Sequence, residues 1–293
     1  MAMQSDPLPE TRLDRFLEYF TILGFALKHG NSPSSIASLY HLAKLKRGLV
    51  YRNLARYAPE KIHQISFRAG AGRVWGIQVR DNGQDAPMLV EFFRNGPLAE
   101  LQRLEWKPRV IYDLGANIGI ASMSLAALFP DARIYGFEPE PANYEICSQN
   151  YSNLPNAQAL NCAVGSSSGT MIFEITDDAR GGRLTANAVI NTIHQIKRID
   201  VPVWTVEDLV KIKGLAPPDF LKVDVEGAEL DVLNGLGVCA KGIKQMHIET
   251  HSTELRDKCV GWLSLNGFEI KKELRYTQIL GALWAERLKA DLH

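Results

Sequence analysis

From Arg109 onward, short apolar runs alternate with longer stretches in which apolar residues recur every three or four positions. The short runs predict strands over Val110–Asp113, Arg133–Glu138, Ala157–Ala163, Phe220–Asp224 and Ile243–Glu249. The periodic stretches predict helices over Ile118–Leu128, Ala142–Asn153, Ala228–Leu236 and Thr253–Leu265. Strand and helix in alternation argue for an α/β fold, a mostly parallel sheet with helices on both faces. The chain finishes differently. "GFEIKKELRY" and "ILGALWAERL" are consecutive strand patterns without a helix between them, which predicts an antiparallel pair at the sheet edge. "TMIFEI" and "IDVPVWTV" add two strands, separated by "TDDARGGRLTANAVINTIHQIKR". A connection of that length in a compact domain is usually functional or mobile.

Upstream the pattern is helical first. Leu13 to Tyr57 reads as two or three helices, broken at "HGNSPSS" by Gly30 and Pro33. Ile36, Leu39, Leu42, Leu45 and Leu49 recur at helical spacing, so one face is covered. His41 lies near that stripe and reads as a packing or surface residue. "IHQISFRAGAGRVWGIQVRDNG" alternates on both sides of "AGAG", a hairpin pattern closed by a turn at "DNG". "MLVEFF" reads as a third short strand and "PLAELQRLEW" as a helix with Pro97 near its start. Three segments result: an N-terminal helical extension over 1–60, a hairpin and helix over 61–108, and an alternating strand–helix core domain over 109–293.

Composition narrows the setting. The chain has 293 residues, 46% apolar and 23% charged, ordinary values for a globular protein. Lys plus Arg equals Asp plus Glu at 33 each, so no overall field draws it to nucleic acid or anionic lipid. Cys147, Cys162, Cys239 and Cys259 are scattered without a CxxC pair, which disfavours a metal knuckle and fits reduced thiols in the cytoplasm. The polar start "MAMQSDPLPETR" is no secretory signal. The most apolar early run, Phe16 to Lys28, contains Glu18 and is too short to span a bilayer. No integral membrane segment is expected.

The segment "VIYDLGANIGIAS" places a glycine turn at the carboxyl end of the first core strand, where open α/β sheets bind ligands. Only Gly115 and Gly119 are present, not the three glycines of G-x-G-x-x-G, and Asp113 precedes them. A carboxylate there would repel a pyrophosphate and attract a sulfonium or ammonium group. Glu138 ends the second strand, where an acid commonly accepts bonds from ribose hydroxyls.

"VIYDLGANIGIAS", "YGFEPEPANYEICSQN", "LNCAVGSSSGT" and "DFLKVDVEGAELDVLNG" together resemble the FkbM family of S-adenosylmethionine-dependent methyltransferases, from about Phe92 to the C-terminus. The resemblance implies the class I methyltransferase fold, a Rossmann-like sheet of seven strands with an antiparallel C-terminal hairpin. It implies S-adenosyl-L-methionine as cofactor and S-adenosyl-L-homocysteine as product. Asp113, Gly115, Ala116, Asn117 and Gly119 would surround the methionine end. Glu138, with Pro139 beside it, would take the ribose, and Cys162 and Ala163 would border adenine.

An alcohol acceptor must lose a proton that it holds about as tightly as water, pKa roughly 16, so a general base is expected. "KVDVEGAE" places Asp224 at a strand end with Glu226 two residues on, and "MHIETH" places His247, Glu249 and His251 at the next. His251 reads as the base, with Asp224 or Glu249 as orienter or alternative base. Glu226 is equally balanced between site and helix terminus, and Glu229 reads as a helix-terminus charge. Two carboxylates and a histidine could also bind a divalent metal, but nothing in the spacing demands one and none is assigned. Arg180, Arg183, Asn187, Asn191 and His194 are expected to border the acceptor pocket, where the arginines could meet an anionic or polyhydroxylated acceptor, with an ordinary solvated loop the equally weighted alternative. The acceptor implied by the family is a hydroxyl of a glycan or of a secondary metabolite such as a polyketide, with no nucleic-acid partner. The N-terminal helices are expected to close over it or to form a homodimer contact. The rival readings are an NAD(P)-dependent oxidoreductase and a catalytically lapsed cofactor-binding module.

Overall fold

The computed structural model describes residues 12–48, 61–69, 73–82, 84–95, 101, 106–175, 182–184, 197–277 and 279–288. The chain divides into two units, Met1–Leu104 and Glu105–His293.

In the first unit, α1 (Arg12–His29) and α2 (Pro33–Gly48) pack on each other and on an antiparallel hairpin of β1 (Ile62–Ala69) and β2 (Arg73–Arg80). Ile22, Phe25 and Ala26 of α1 and Leu39, Leu42 and Ala43 of α2 are buried, with Ile65, Phe67, Ile77 and Val79 from the hairpin. Leu49 lies outside the described residues, as does "PLAELQRLEW" apart from Leu101 and Trp106. "MLVEFF" is not a strand. It belongs to α3 (Asp85–Asn95). The reason lies just upstream: Asn82 Oδ1 accepts the backbone N–H groups of Gln84 and Asp85 at 2.9 and 3.0 Å, a side-chain cap that starts a helix. Asp85, fully buried, then receives Arg80 Nε at 2.9 Å and Asn82 Nδ2 at 2.8 Å.

The second unit is built on a seven-stranded sheet. Its strands are β3 (Val110–Leu114), β4 (Arg133–Phe137), β5 (Ala157–Leu160), β10 (Phe220–Val223), β11 (Gln245–Thr250), β12 (Phe268–Arg275) and β13 (Gly281–Arg287), in the order β12-β13-β11-β10-β3-β4-β5. All neighbours are parallel except β13, antiparallel to both β11 and β12. The expected α/β class and its antiparallel finish are therefore present. The order of the strands reverses beside β3, with β4 and β5 on one side and β10 and β11 on the other, so the loops after β3 and β10 meet at the carboxyl rim.

Helices connect these strands: α4 (Ile120–Leu128), α5 (Pro141–Tyr151), α6 (Val206–Lys211), α7 (Glu229–Asn234) and α8 (Thr253–Leu265). One sheet face, carrying Tyr112, Leu114, Leu221, Val223, Met246 and Ile248, packs on Val206, Leu209, Val232, Leu233, Cys259 and Leu263 from α6, α7 and α8. The strands read as continuous apolar runs because both faces are covered.

The predicted third core strand splits in two. After β5 the Asn161 side chain donates to the carbonyls of Glu138 and Pro139 at 2.9 and 3.0 Å, and the chain turns away. Ala163–Val164 forms β6 of a second sheet, with β7 (Gly169–Ile175), β8 (Gly182–Leu184) and β9 (Lys197–Trp204), in the order β6-β9-β7-β8. The "TMIFEI" and "IDVPVWTV" strands are β7 and β9, paired antiparallel. Arg180, Asn187, Asn191 and His194 lie outside the described residues, and of Arg183 only the backbone position in β8 is described.

Candidate active site

The rim is assembled from four loops. After β3 the backbone folds back on itself: the N–H groups of Gly115 and Ala116 both donate to the Phe137 carbonyl at 3.0 Å. Gly115 sits at φ +81°, and a Cβ there would stand 1.7 Å from the Asp224 carbonyl oxygen. Only glycine lets the β3 loop press against the end of β10 in this way. Gly119, at φ +88°, precedes α4, and a Cβ on it would run into the Tyr151 ring at 2.7 Å. Asn150 Nδ2 fastens the same loop through the Ile118 carbonyl at 2.7 Å. Ala116 is buried in it.

Asp113 is placed differently from expectation. A charge facing a bound cation would need an open carboxylate, yet this one is 0% exposed. Strand alternation turns residue 113 toward α4, where Ser122 Oγ donates to Oδ2 at 2.6 Å and Lys222 Nζ lies 3.0 Å from Oδ1. Tyr151 in turn donates to Ser122. The negative charge is thus matched inside the sheet, and Asp113 braces the rim from below.

Lys222 is the centre of that brace. It is 2% exposed, and its ammonium reaches Asp113, the Gly115 carbonyl at 3.3 Å and Asp224 Oδ2 at 3.4 Å. Burial opposes its charge, but Asp113, Asp224 and Glu249 outweigh that and raise its pKa. Glu249, partly buried in β11, thereby bears on the lysine. His247 stands in register between Lys222 and Trp284. It is fully buried, its ring 4.5 Å from that of Trp284, and neither ring nitrogen has a hydrogen bond. Burial and Lys222 push its pKa down to about 3, so it is a neutral packing residue. Of the three residues that strand alternation groups together, His247 lies inside the sheet, without the hydrogen bond expected of a histidine there.

At the end of β4, Glu138 accepts the Asn117 N–H at 2.8 Å and the Glu140 N–H at 3.0 Å, one on each oxygen. Burial raises its pKa to about 7 against the pull of those two bonds. Pro139 follows, tied to the β5 end through Asn161. Cys162 and Ala163 are buried beside that tie, and burial pushes the Cys162 thiol up to about 12, leaving it an uncharged apolar group.

The acid and base groups gather around His251. Its Nδ1 donates to Glu229 Oε1 at 2.8 Å, and its Nε2 lies 3.3 Å from Glu226 Oε2 and 3.8 Å from Asp224 Oδ1. Glu229 is fully buried and also accepts the Gly227 N–H at 2.9 Å. It stands in the first turn of α7 as the helix-terminus reading expected, and it also orients the imidazole, a partner 22 residues away that no spacing along the chain could reveal. Burial works to lower the His251 pKa, but Glu229, Glu226 and Asp224 raise it to about 10. The ring is therefore imidazolium at neutral pH. Asp224 shows the converse: burial raises its pKa, and Lys222 and His251 carry it below the ordinary carboxylate value.

Asn117 and Glu226, at φ +50° and +51°, are the non-glycine residues with left-handed backbone among the described residues, and they flank the same rim. Such conformations cost roughly 1–3 kcal/mol and cluster at functional sites. Asp224, Glu226 and His251 each present a ligand atom within 4.8 Å of the others, a donor set that a divalent ion could use. No described helix is long and apolar enough to cross a membrane.

A model of the methyltransferase FkbM domain matches residues 113–275, more than half of the chain. Methyltransferase sdnD of Sordaria araneosa is 28% identical over 193 residues, 56% of this chain and 74% of that protein. Hexuronic acid methyltransferase AglP of Haloferax volcanii is 29% identical over 144 residues, covering 49% of this chain and 56% of its own. The 2-O-methyltransferase NoeI of Sinorhizobium fredii is 29% identical over 143 residues, 45% and 59% respectively. The chain thus spans little more than half the length of two of these three relatives.

Proposed function

Because the chain belongs to the FkbM family of methyltransferases, we propose that it transfers a methyl group from S-adenosyl-L-methionine to a hydroxyl of a sugar or of a hydroxylated small metabolite. What supports the acceptor class is that relatives named for a hexuronic acid and for 2-O-methylation align with it. The observation that carries the reading is the junction at Gly115, where a nucleoside-type loop touches the strand end that presents Asp224 toward His251.

The residues present fit the cofactor. The Gly115–Gly119 loop leads into α4, whose first N–H groups lack partners within the helix and suit the methionine carboxylate. Glu138 is placed to accept ribose hydroxyls once ionised, and Cys162 and Ala163 supply an apolar border for adenine. Bound there, S-adenosylmethionine supplies a methyl carbon activated by a sulfonium sulfur.

His251 is the general base of this reading. Glu229 holds the Nδ1 proton and so directs Nε2 to the acceptor. An imidazole whose conjugate acid titrates near 10 is a stronger base than an ordinary one, but is scarce at neutral pH. Asp224 and Glu226 stabilise the imidazolium that forms on taking the hydroxyl proton. Alignment of acceptor and methyl carbon contributes most of the remaining acceleration.

Calorimetric titration with S-adenosylhomocysteine and with NADH tests the cofactor. Binding of NADH alone would overturn the proposal in favour of an oxidoreductase. Release of S-adenosylhomocysteine across a panel of sugar nucleotides, oligosaccharides and hydroxylated metabolites then tests the acceptor. Cofactor binding without turnover on any of them would favour a lapsed binding module.

A further inference from the structure

We propose that His41, His63 and Asp81 form a binding site for a divalent transition-metal ion of the zinc type, within the first unit and separate from the active site. His41 comes from α2, His63 from β1, and Asp81 directly follows β2. One ligand atom from each lies within 4.8 Å of the other two. The two imidazole rings are 5.5 Å apart, and Asp81 Oδ2 is 4.0 Å from His63 Nε2.

Two features make this more than three neighbouring polar groups. His63 is 8% exposed and its Nε2 is buried without a hydrogen-bond partner. A buried nitrogen left in that state costs free energy that a metal ion would recover. Asp81 is already held: its Oδ1 accepts the Lys61 N–H at 2.8 Å, and its own N–H donates to the Lys61 carbonyl at 3.1 Å. Those bonds at the open end of the hairpin orient the carboxylate and leave Oδ2 toward His63, as outer-shell partners do for metal ligands. His41 is exposed and provides the route of entry.

Two imidazoles and one carboxylate suit zinc rather than calcium or magnesium, which prefer oxygen ligands. Zinc bonds of about 2.0–2.1 Å set tetrahedral donors roughly 3.3 Å apart, so the ion would draw these three together by about 1 Å and leave a fourth position to water. The ion would fasten α2 to the hairpin, stabilising the unit that holds it.

The test uses the untagged full chain, stripped with chelator and dialysed against Zn²⁺, with metal content and thermal unfolding measured. His41→Ala removes an exposed ligand without disturbing the hairpin core, and His251→Ala removes the other candidate donor cluster. The expected result is one zinc per chain that survives in His251→Ala. In His41→Ala its affinity falls at least about tenfold and the zinc-dependent rise in unfolding temperature is lost. Cobalt in its place should show the visible bands of a four-coordinate site. Wild-type protein that takes up no zinc, or His41→Ala that binds it as the wild type does, overturns the proposal.

Discussion

The ammonium of Lys222 stands 3.0 Å from the carboxylate of Asp113, in register across β10 and β3, with both side chains shut away from water. The pair joins the loop after β3 to the loop after β10, because the same ammonium reaches the Gly115 carbonyl and Asp224. Breaking a buried pair by removing one partner leaves an uncompensated charge and typically costs about 3–5 kcal/mol.

Lys222→Met is therefore expected to lose about that much stability in chemical denaturation, and the double variant Asp113→Asn/Lys222→Met to recover a large part of it. A double variant no more stable than Lys222→Met would mean that the pair is not the source of the loss.

Turnover should depend on deprotonated His251. With a pKa raised to about 10, kcat/KM should rise about tenfold per pH unit from pH 7 toward that value. Glu229→Gln removes the buried partner, so the rising limb should move to lower pH. His251→Ala should lower turnover by about 10²–10⁴ while leaving S-adenosylhomocysteine affinity within a few-fold. A flat profile between pH 7 and 9 would exclude His251 as the base.

The same group sets a slope in stability. Its folded pKa lies above the ordinary histidine value, so its contribution is complete below about pH 6.5 and is lost as pH rises through about 10. Thermal unfolding between pH 7 and 10 should show this decline in the wild type, and His251→Asn should show less of it.

Glu138 is the second titrating group of the proposed site. Burial lifts its pKa to about 7, and the ionised form is the better acceptor for two hydroxyls. S-adenosylhomocysteine should bind more tightly as pH rises from 6 to 8. Glu138→Gln should weaken binding by roughly tenfold or more and abolish that dependence. Calorimetry across this range decides it.

Gly115→Ala brings together a strained φ and a clash with the Asp224 carbonyl. The variant should lose at least about 2 kcal/mol of stability, and cofactor affinity with it. Gly214→Ala is the control: also at positive φ but with open space around it, it should lose stability without affecting the cofactor.

The parallel sheet was legible because buried strands are apolar on both faces and helices keep their own period. "MLVEFF" defeated the same logic, since six mainly apolar residues suit either element and the decision lay with the Asn82 cap. The break after Leu160 was hidden because a side-chain amide, Asn161, turns the chain within an unbroken strand pattern. In the site, strand ends pointed to Asp224, Glu226 and His251, which the fold brings together. Glu229 and the Lys222–Asp113 pair were not recoverable, because each depends on which strands are neighbours. The charge argument at Asp113 took a carboxylate beside a ligand loop to face that ligand, when alternation had turned it inward.

One cation holds both loops of the rim, so a shift in either would strain its bonds to the other. Accommodating acceptors of different shape would then fall to the segments around this rim. A change of specificity by redesign should begin there and leave the clamp alone.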